Sequence, residues 1–188
     1  FKDYRGEWEV IPRDTWVKSD TVRTVTSVCQ ASSYTDYFIW GVRKGLREEG
    51  YDGLYLDVSH NEPCANRLHG CGYRGPDGEV HPTDNVFEMR EAYKRMWRVV
   101  KADDPGNIIF LHGIPPAPIA SFVDVITQGE SWVQVPNYEG MSLPLYRAVY
   151  MHERRLGVPF VFFNEWRGEE RDQQMAERVL AFTLLHNT

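Results

Sequence analysis

Short apolar runs recur along the chain and are separated by longer amphipathic stretches. The runs are TVTSVCQ (24–30), GLYLDVS (53–59), NIIFLHG (107–113), FVDVITQGE (122–130) and VPFVFFNE (158–165). The runs are mainly short, continuous apolar stretches rather than alternating ones, which is typical of strands buried on both faces. The pattern therefore predicts five strands of this kind.

Helical periodicity fills most of the intervals between the runs. Helices are predicted over about 35–49, 84–101, 143–155 and 170–186, and the Pro-rich link at 114–122 leaves room for about one helical turn. Thr35 is the expected N-cap of the first helix, and Gly50 stands where that helix should stop. Buried strands that alternate with helices predict a parallel sheet.

Two parallel architectures fit this alternation: a doubly wound sheet and a (β/α)8 barrel. No G-x-G-x-x-G or G-x-x-x-x-G-K-[ST] motif follows a strand, so the nucleotide-binding form of the doubly wound sheet loses its best support. Polar residues stand instead at the carboxyl ends of strands, where barrel enzymes gather their catalytic groups. They are Asp57, His112, Glu130, Asn164 and Glu165.

The fold class that we predict is therefore α/β, a (β/α)8 TIM-type barrel. A typical barrel needs about 250 residues and eight strands. We expect residues 1–188 to form a single domain that is the C-terminal two-thirds of such a barrel, roughly strands three to seven.

Composition narrows the classes of partner. The net charge of −6 argues against a nucleic-acid partner, because phosphate binding needs a basic surface. No apolar stretch approaches the roughly 18 residues of a membrane span, so we expect no membrane partner. The three cysteines do not fix the cellular compartment.

Two carboxylates are the candidate catalytic groups. Asp57 closes the second apolar run and Glu130 closes the fourth, so in a barrel both would project into one mouth. Cleavage of a glycosidic bond requires two facing carboxyl groups, one ionised and one protonated. The alternative is structural: Asp57 caps the following loop, and Glu130 pairs with an arginine such as Arg147.

Other polar and aromatic residues are candidates for holding a sugar. Aromatic rings suit the C–H faces of pyranosides, and amide, imidazole and carboxylate groups suit the hydroxyls. The predicted substrate-binding residues are Glu165, Asn164, His112, Trp132, Tyr73 and His60. The chemistry needs no cofactor.

The loop after the second strand carries a further pattern. His60, Cys64, His69 and Cys71 could make a tetrahedral zinc site, but the spacing H-x3-C-x4-H-x-C matches no common zinc motif. A Cys64–Cys71 disulfide, or two reduced cysteines that pack the loop, is the favoured alternative. In either case HGCGYRGPDG (69–78) is predicted to be an ordered wall over the mouth.

These segments resemble a known family. GLYLDVS, PCANRLHGCGYRGPDGEVHPTDNVFEMREAYKRMWRVVK (63–101), FLHG and FVDVITQGESW resemble the catalytic barrels of bacterial proteins near glycoside hydrolase family 123. The resemblance covers about residues 25–186. It implies flanking β-sandwich domains in the same polypeptide and a carbohydrate substrate.

One departure from family 123 affects the expected mechanism. Family 123 enzymes use an adjacent Asp-Glu pair and the acetamido group of the substrate, whereas Val58 follows Asp57 here. A layout with an Asp nucleophile after strand four and an acid/base carboxylate after strand six is similar to that of α-galactosidases. The expected function is a retaining glycosidase, and the alternatives are a non-catalytic carbohydrate-binding barrel and a zinc-dependent hydrolase using the Cys/His loop.

Overall fold

A computed structural model of the chain describes residues 6–12, 27–57, 59–113, 115–129, 142–151, 157–162 and 172–186. The helices are α1 (Tyr34–Lys44), α2 (Val86–Asp103), α3 (Ala117–Ala120), α4 (Leu143–Tyr150) and α5 (Asp172–His186). The strands are β1 (Gly53–Leu56), β2 (Tyr73–Arg74), β3 (Val80–His81), β4 (Ile108–His112), β5 (Val125–Gln128) and β6 (Phe160–Phe162). Within these ranges, each helix is too short or too polar to cross a membrane.

The chain divides into two compact units. The first unit comprises the described residues of Phe1–Asp52 and His60–Asn107, and the second those of Gly53–Ser59 and Ile108–Thr188. Whether the two units together form the single domain predicted over 1–188 is not tested by this division, so the single domain stays a prediction.

Helices α1 and α2 pack against each other in the first unit. The periodicity of the sequence predicts an inner stripe on α2 that consists of Val86, Met89, Tyr93, Met96 and Val100. The last four of these residues are buried, whereas Val86 is half-buried. Helix α1 continues into a π-helical turn, Gly45–Glu49, and Gly50 ends it at a φ of 72°. Helices commonly end at a residue in this left-handed conformation, which glycine adopts without steric cost.

The predicted N-cap of α1 is wrong by two residues. Ser33 occupies the cap position, whereas Thr35 is buried inside the first turn. The Thr35 hydroxyl donates a hydrogen bond of 2.7 Å to the carbonyl of Gln30. Thr35 thus anchors the preceding turn instead of capping the helix.

The rest of the first unit has little regular structure. Residues 27–30 do not form a strand of the parallel sheet, so over its described part the strand predicted at 24–30 is wrong; residues 24–26 lie outside the described residues. Val28 makes an isolated antiparallel bridge with Glu9, and Cys64 makes another with Thr83. The small hairpin β2–β3 pairs Tyr73 with His81.

The second unit contains a four-stranded parallel sheet in the order β1-β4-β5-β6. This confirms a mixed α/β fold with a parallel sheet, and the strands lie within four of the five predicted runs. The spatial order of these four strands follows their order in the chain. They therefore do not include the point at which strand order reverses in a doubly wound sheet.

The two faces of this sheet are unequally buried. One face, here called the buried face, includes Ile109, Leu111, Ile126 and Phe160, all nearly inaccessible. Neighbours in register share a face, so the residues that alternate with these along each strand form the opposite, open face. It includes Tyr55, Ile108 and Val161, which are 56%, 47% and 46% exposed. The prediction that the strands are buried on both faces is therefore wrong at these three positions, although Thr127 of β5, in register with Val161, is buried.

Aromatic side chains of α4 and α5 cover one end of the buried face. Tyr146 and Tyr150 of α4 are fully buried, and their ring centroids lie 5.5 and 5.0 Å from that of Phe162 in β6. Phe182 of α5 lies 5.2 Å from the Tyr146 ring. Burial of these large rings is a major stabilising contribution to the second unit.

Close backbone pairing at the start of β1 predicts an intolerance to any side chain at Gly53. A Cβ there would lie 2.1 Å from the carbonyl oxygen of Ile108, and the φ of 149° is rare for other residues. Gly53→Ala should lower the free energy of unfolding by about 3 kcal/mol or more, since overpacking adds to backbone strain. Urea denaturation of the purified chain measures the loss.

Gly157→Ala is the matched control in the same unit. Gly157 has a φ of 77°, but a Cβ added to it meets no atom within 4 Å. The substitution Gly157→Ala should therefore lower the free energy of unfolding by about 1–2 kcal/mol, which is the cost of the left-handed backbone conformation alone. Equal losses for the two variants would contradict the close approach at Gly53.

Candidate functional site

Asp57 and His112 form a site at the carboxyl edge of the parallel sheet. Asp57 follows the last residue of β1, and His112 is the last residue of the adjacent strand β4. His112 Nδ1 lies 2.8 Å from Asp57 Oδ1. Because an ionised carboxylate only accepts hydrogen bonds, Nδ1 is the donor. We call this pair the carboxyl-edge site.

The two partners differ in their access to solvent. The Asp57 side chain is 61% exposed, whereas that of His112 is 15% exposed. The imidazole is thus held by its surroundings, and the carboxylate that it orients remains accessible. Tyr55, on the same open face, places its ring 6.2 Å from that of His112.

Backbone hydrogen bonds extend the sheet past the last strand residues and support this edge. The Ser59 N–H donates to the His112 carbonyl at 3.2 Å, and the Gly113 N–H donates to the Thr127 carbonyl at 3.1 Å. The Ser59 hydroxyl also turns back to the Leu56 carbonyl at 3.2 Å. The segment that carries Asp57 is therefore fixed on both sides.

Of the other predicted site residues, four lie outside the described residues and two belong to a different unit. Glu130, Trp132, Asn164 and Glu165 lie outside the described residues. Tyr73 and His60 belong to the first unit, whereas Asp57 and His112 belong to the second. Tyr73 stacks on His81 at 5.5 Å, and His60 Nε2 lies 3.2 Å from Glu62 Oε1.

A second group of reactive side chains lies within the first unit. Cys29 Sγ, Cys64 Sγ, Cys71 Sγ and one ring nitrogen of His69 all lie within 4.8 Å of one another. Cys29 and Cys71 are 3.9 Å apart, and Cys64 is 3.4 Å from His69 Nε2. The three cysteines are buried. We call this group the Cys/His cluster.

Hydrogen bonds orient every member of the Cys/His cluster. His69 Nδ1 is bonded to the carbonyl of Glu7, which leaves the Nε2 lone pair directed at Cys64. The Asn66 backbone N–H donates to Cys64 Sγ at 3.4 Å. Asn85 bridges the other two thiols: its amide donates to Cys29 Sγ, and its carbonyl oxygen accepts from Cys71, both at 3.3 Å.

All three cysteines are free thiols. Of the two favoured alternatives for the loop, reduced cysteines are found and a Cys64–Cys71 disulfide is not. Burial raises the pKa of the Cys29 thiol far above its usual range, and the nearby Cys64 and Cys71 sulfurs add to the effect. Burial also raises the pKa of Cys71.

The sequence identified three of the four cluster members and misassigned one. The predicted set included His60, but that residue pairs with Glu62, and Cys29 occupies its place. Cys29 was missed because it lies 35 residues before Cys64 in a run that resembles a strand. The available signal was that Cys29 is the only other cysteine in the chain.

No protein-family model matches the chain, and no curated protein matches it. The resemblance to family 123 stays a prediction, and the functional argument depends on the geometry of the two sites.

Proposed function

We propose that this chain is part of a glycoside hydrolase barrel in which Asp57 is the catalytic nucleophile. The observation that carries the proposal is the carboxyl-edge site, where His112 holds an exposed carboxylate at 2.8 Å. Catalytic groups of barrels stand at the carboxyl ends of parallel strands. A carboxylate that is both oriented and accessible meets the requirements for attack on a sugar.

Two features of the sheet support the barrel. Its strand order follows the chain order, as it does in a (β/α)8 barrel. Its buried face carries helices, whereas the open face presents Tyr55 and Val161 to solvent. A partial barrel has this asymmetry, because its interior face is completed only by the remaining strands. Asp57 and His112 both lie on the open face, by the alternation of side chains along β1 and β4.

The mechanism follows the retaining scheme. Asp57 attacks the anomeric carbon while Glu130 donates a proton to the departing oxygen, and a glycosyl-enzyme ester forms. Glu130 then takes a proton from water, which attacks the anomeric carbon and releases Asp57. His112 acts as a positioning residue, because its hydrogen bond fixes the rotamer of the nucleophile. The role of Glu130 derives from its place at the end of the apolar run at 122–130.

The alternative functions make different demands. A non-catalytic carbohydrate-binding barrel needs aromatic rings but no oriented carboxylate. A zinc hydrolase needs a metal with an open coordination position for water. The Cys/His cluster offers four side-chain ligands, which would fill a tetrahedral site, so it does not favour the zinc hydrolase.

Asp57→Asn should abolish glycoside hydrolysis, because the amide is neutral and a poor nucleophile. We expect turnover of aryl glycosides, measured across a panel of sugars and both anomers, to fall by at least about 1,000-fold, which is roughly 4 kcal/mol of lost transition-state stabilisation. Glu130→Gln should give a loss of similar scale, which is smaller on substrates with good leaving groups.

Asp52→Asn is the matched control. Asp52 is an exposed carboxylate five residues before Asp57, and its loss should leave turnover unchanged. Unchanged turnover in Asp57→Asn would overturn the proposal. Carbohydrate binding that survives in Asp57→Asn, without hydrolysis of any substrate by the unmodified chain, would establish the binding barrel instead.

Loss of the positioning residue should reduce turnover more than substrate affinity. His112→Ala removes the donor to Asp57, and small misplacements of a reacting group cost about 100-fold in rate. We expect kcat to fall by about that factor while KM changes little. His112→Gln, whose amide can still donate, should recover part of the loss. Equal kcat values in the two variants would contradict a positioning role.

A further inference from the structure

We propose that Cys29, Cys64, His69 and Cys71 bind one structural zinc ion. No part of the proposed glycosidase mechanism uses these residues, so this inference goes beyond that function. It rests on the distances, the enclosure and the outer hydrogen bonds of the Cys/His cluster.

All four ligand atoms lie within 4.8 Å of one another, and two of their distances are close to those in a tetrahedral zinc site. Bond lengths of about 2.3 Å to sulfur and 2.0–2.1 Å to nitrogen place two sulfurs about 3.8 Å apart and sulfur about 3.6 Å from nitrogen. The Cys29–Cys71 separation is 3.9 Å, and the Cys64–His69 separation is 3.4 Å. No side chain needs a large displacement to bind the ion.

The surroundings match those of metal-binding residues. A histidine ligand normally donates its other ring N–H to a carbonyl or carboxylate, as His69 Nδ1 does to Glu7. Cys64 Sγ accepts the backbone N–H of Asn66, and Cys29 Sγ accepts the amide of Asn85. Such donors stabilise thiolates. Binding would release one proton from each of the three thiols, and with the Cys71 proton the hydrogen bond to Asn85 Oδ1 would be lost.

The ligand set selects zinc and a structural role. Three sulfurs and one imidazole nitrogen in tetrahedral array are typical of structural zinc sites. Four protein ligands leave no position for a reactive water. A disulfide would use two of the three cysteines and would leave the third cysteine and the oriented histidine without a function.

The ion would crosslink a region in which the described apolar cluster is small. The apolar cluster here consists of Val10 and the three cysteines, with Ala31 packed against it. In the described part of this region, the regular structure at the cluster is short: the 3-10 helix Arg67–His69 and the isolated bridges Glu9–Val28 and Cys64–Thr83. A bound zinc would crosslink Cys29 directly to the loop at 64–71, and through His69 and Asn66 it would hold residues 6–9.

Elemental analysis of the unmodified chain tests the proposal without any variant. The chain is purified under reducing conditions without chelator, and we expect one zinc per chain. Cobalt exchanged into the site should give the visible bands of tetrahedral Co(II) and near-ultraviolet thiolate charge transfer. Absence of bound zinc, with no uptake when zinc is added to the reduced chain, would overturn the site. A Cys29–Cys71 disulfide in the native chain would also overturn it.

Variants locate the ion. His69→Gln and Cys29→Ser should each weaken zinc retention against a chromophoric chelator by more than the roughly 10–100-fold typical of losing an outer hydrogen bond. The matched control is His81→Gln, since His81 pairs with Asp77 outside the cluster, and it should retain one zinc. Loss of zinc in His81→Gln alone would place the metal elsewhere. Asp57→Asn should also keep its zinc, which separates this test from that of the glycosidase.

Chelation should lower the stability of the unmodified chain. Metal that binds only the folded state adds its binding free energy to folding. We expect Tm to fall on adding chelator and to recover fully on adding back excess zinc, but not magnesium. A Tm that is unaffected by chelation, in protein shown to have lost its zinc, would contradict the structural role.

Discussion

The parallel pairing of β1 with β4 is the constraint on which the proposed function depends. It aligns Leu56 with Leu111, so the residues that follow at the carboxyl ends emerge side by side. Asp57 and His112 are 55 positions apart in the chain, yet their side chains meet at 2.8 Å. A shift of one residue in this register would move one of the two side chains to the opposite face of the sheet.

The carboxyl-edge site and the Cys/His cluster differ in their exposure to solvent. At the carboxyl-edge site, the Asp57 carboxylate stays in contact with solvent, and His112 orients it. The Cys/His cluster removes three sulfurs from solvent almost completely. Burial of neutral thiols costs little, whereas burial of several thiolates together is costly unless a partner compensates their charge. A cation that converts thiols to bound thiolates provides such compensation, and hydrogen bonds alone provide less.

Much of the fold could be predicted because its signals are local. The structure confirms strands β1, β4, β5 and β6 within apolar runs, and most of the predicted stripe of α2 is buried. Each of these signals lies within one short segment of the sequence. The Asp57–His112 pair was not predicted as a contact, although both residues were predicted at strand ends. Strand register is a property of two distant segments, and an apolar run alone does not specify it.

The misassigned features have long-range causes. Residues 27–30 have the composition of a strand, but Val28 pairs with Glu9 outside the parallel sheet. Thr35 resembles an N-cap, but its hydroxyl is already bonded to Gln30. Cys29 is 42 residues from Cys71, and only the folding of the loop at 64–71 brings the two thiols together. In each case a tertiary contact overrides the local pattern.

The most direct test of the central claim is to trap the glycosyl-enzyme. A 2-deoxy-2-fluoro glycoside with a good leaving group slows hydrolysis of the ester more than its formation, so the labelled intermediate accumulates. Peptide mass spectrometry of the inactivated chain should find the sugar on Asp57 at one label per chain. A label on another carboxylate, or hydrolysis of the parent glycoside without any label on Asp57, would contradict the account.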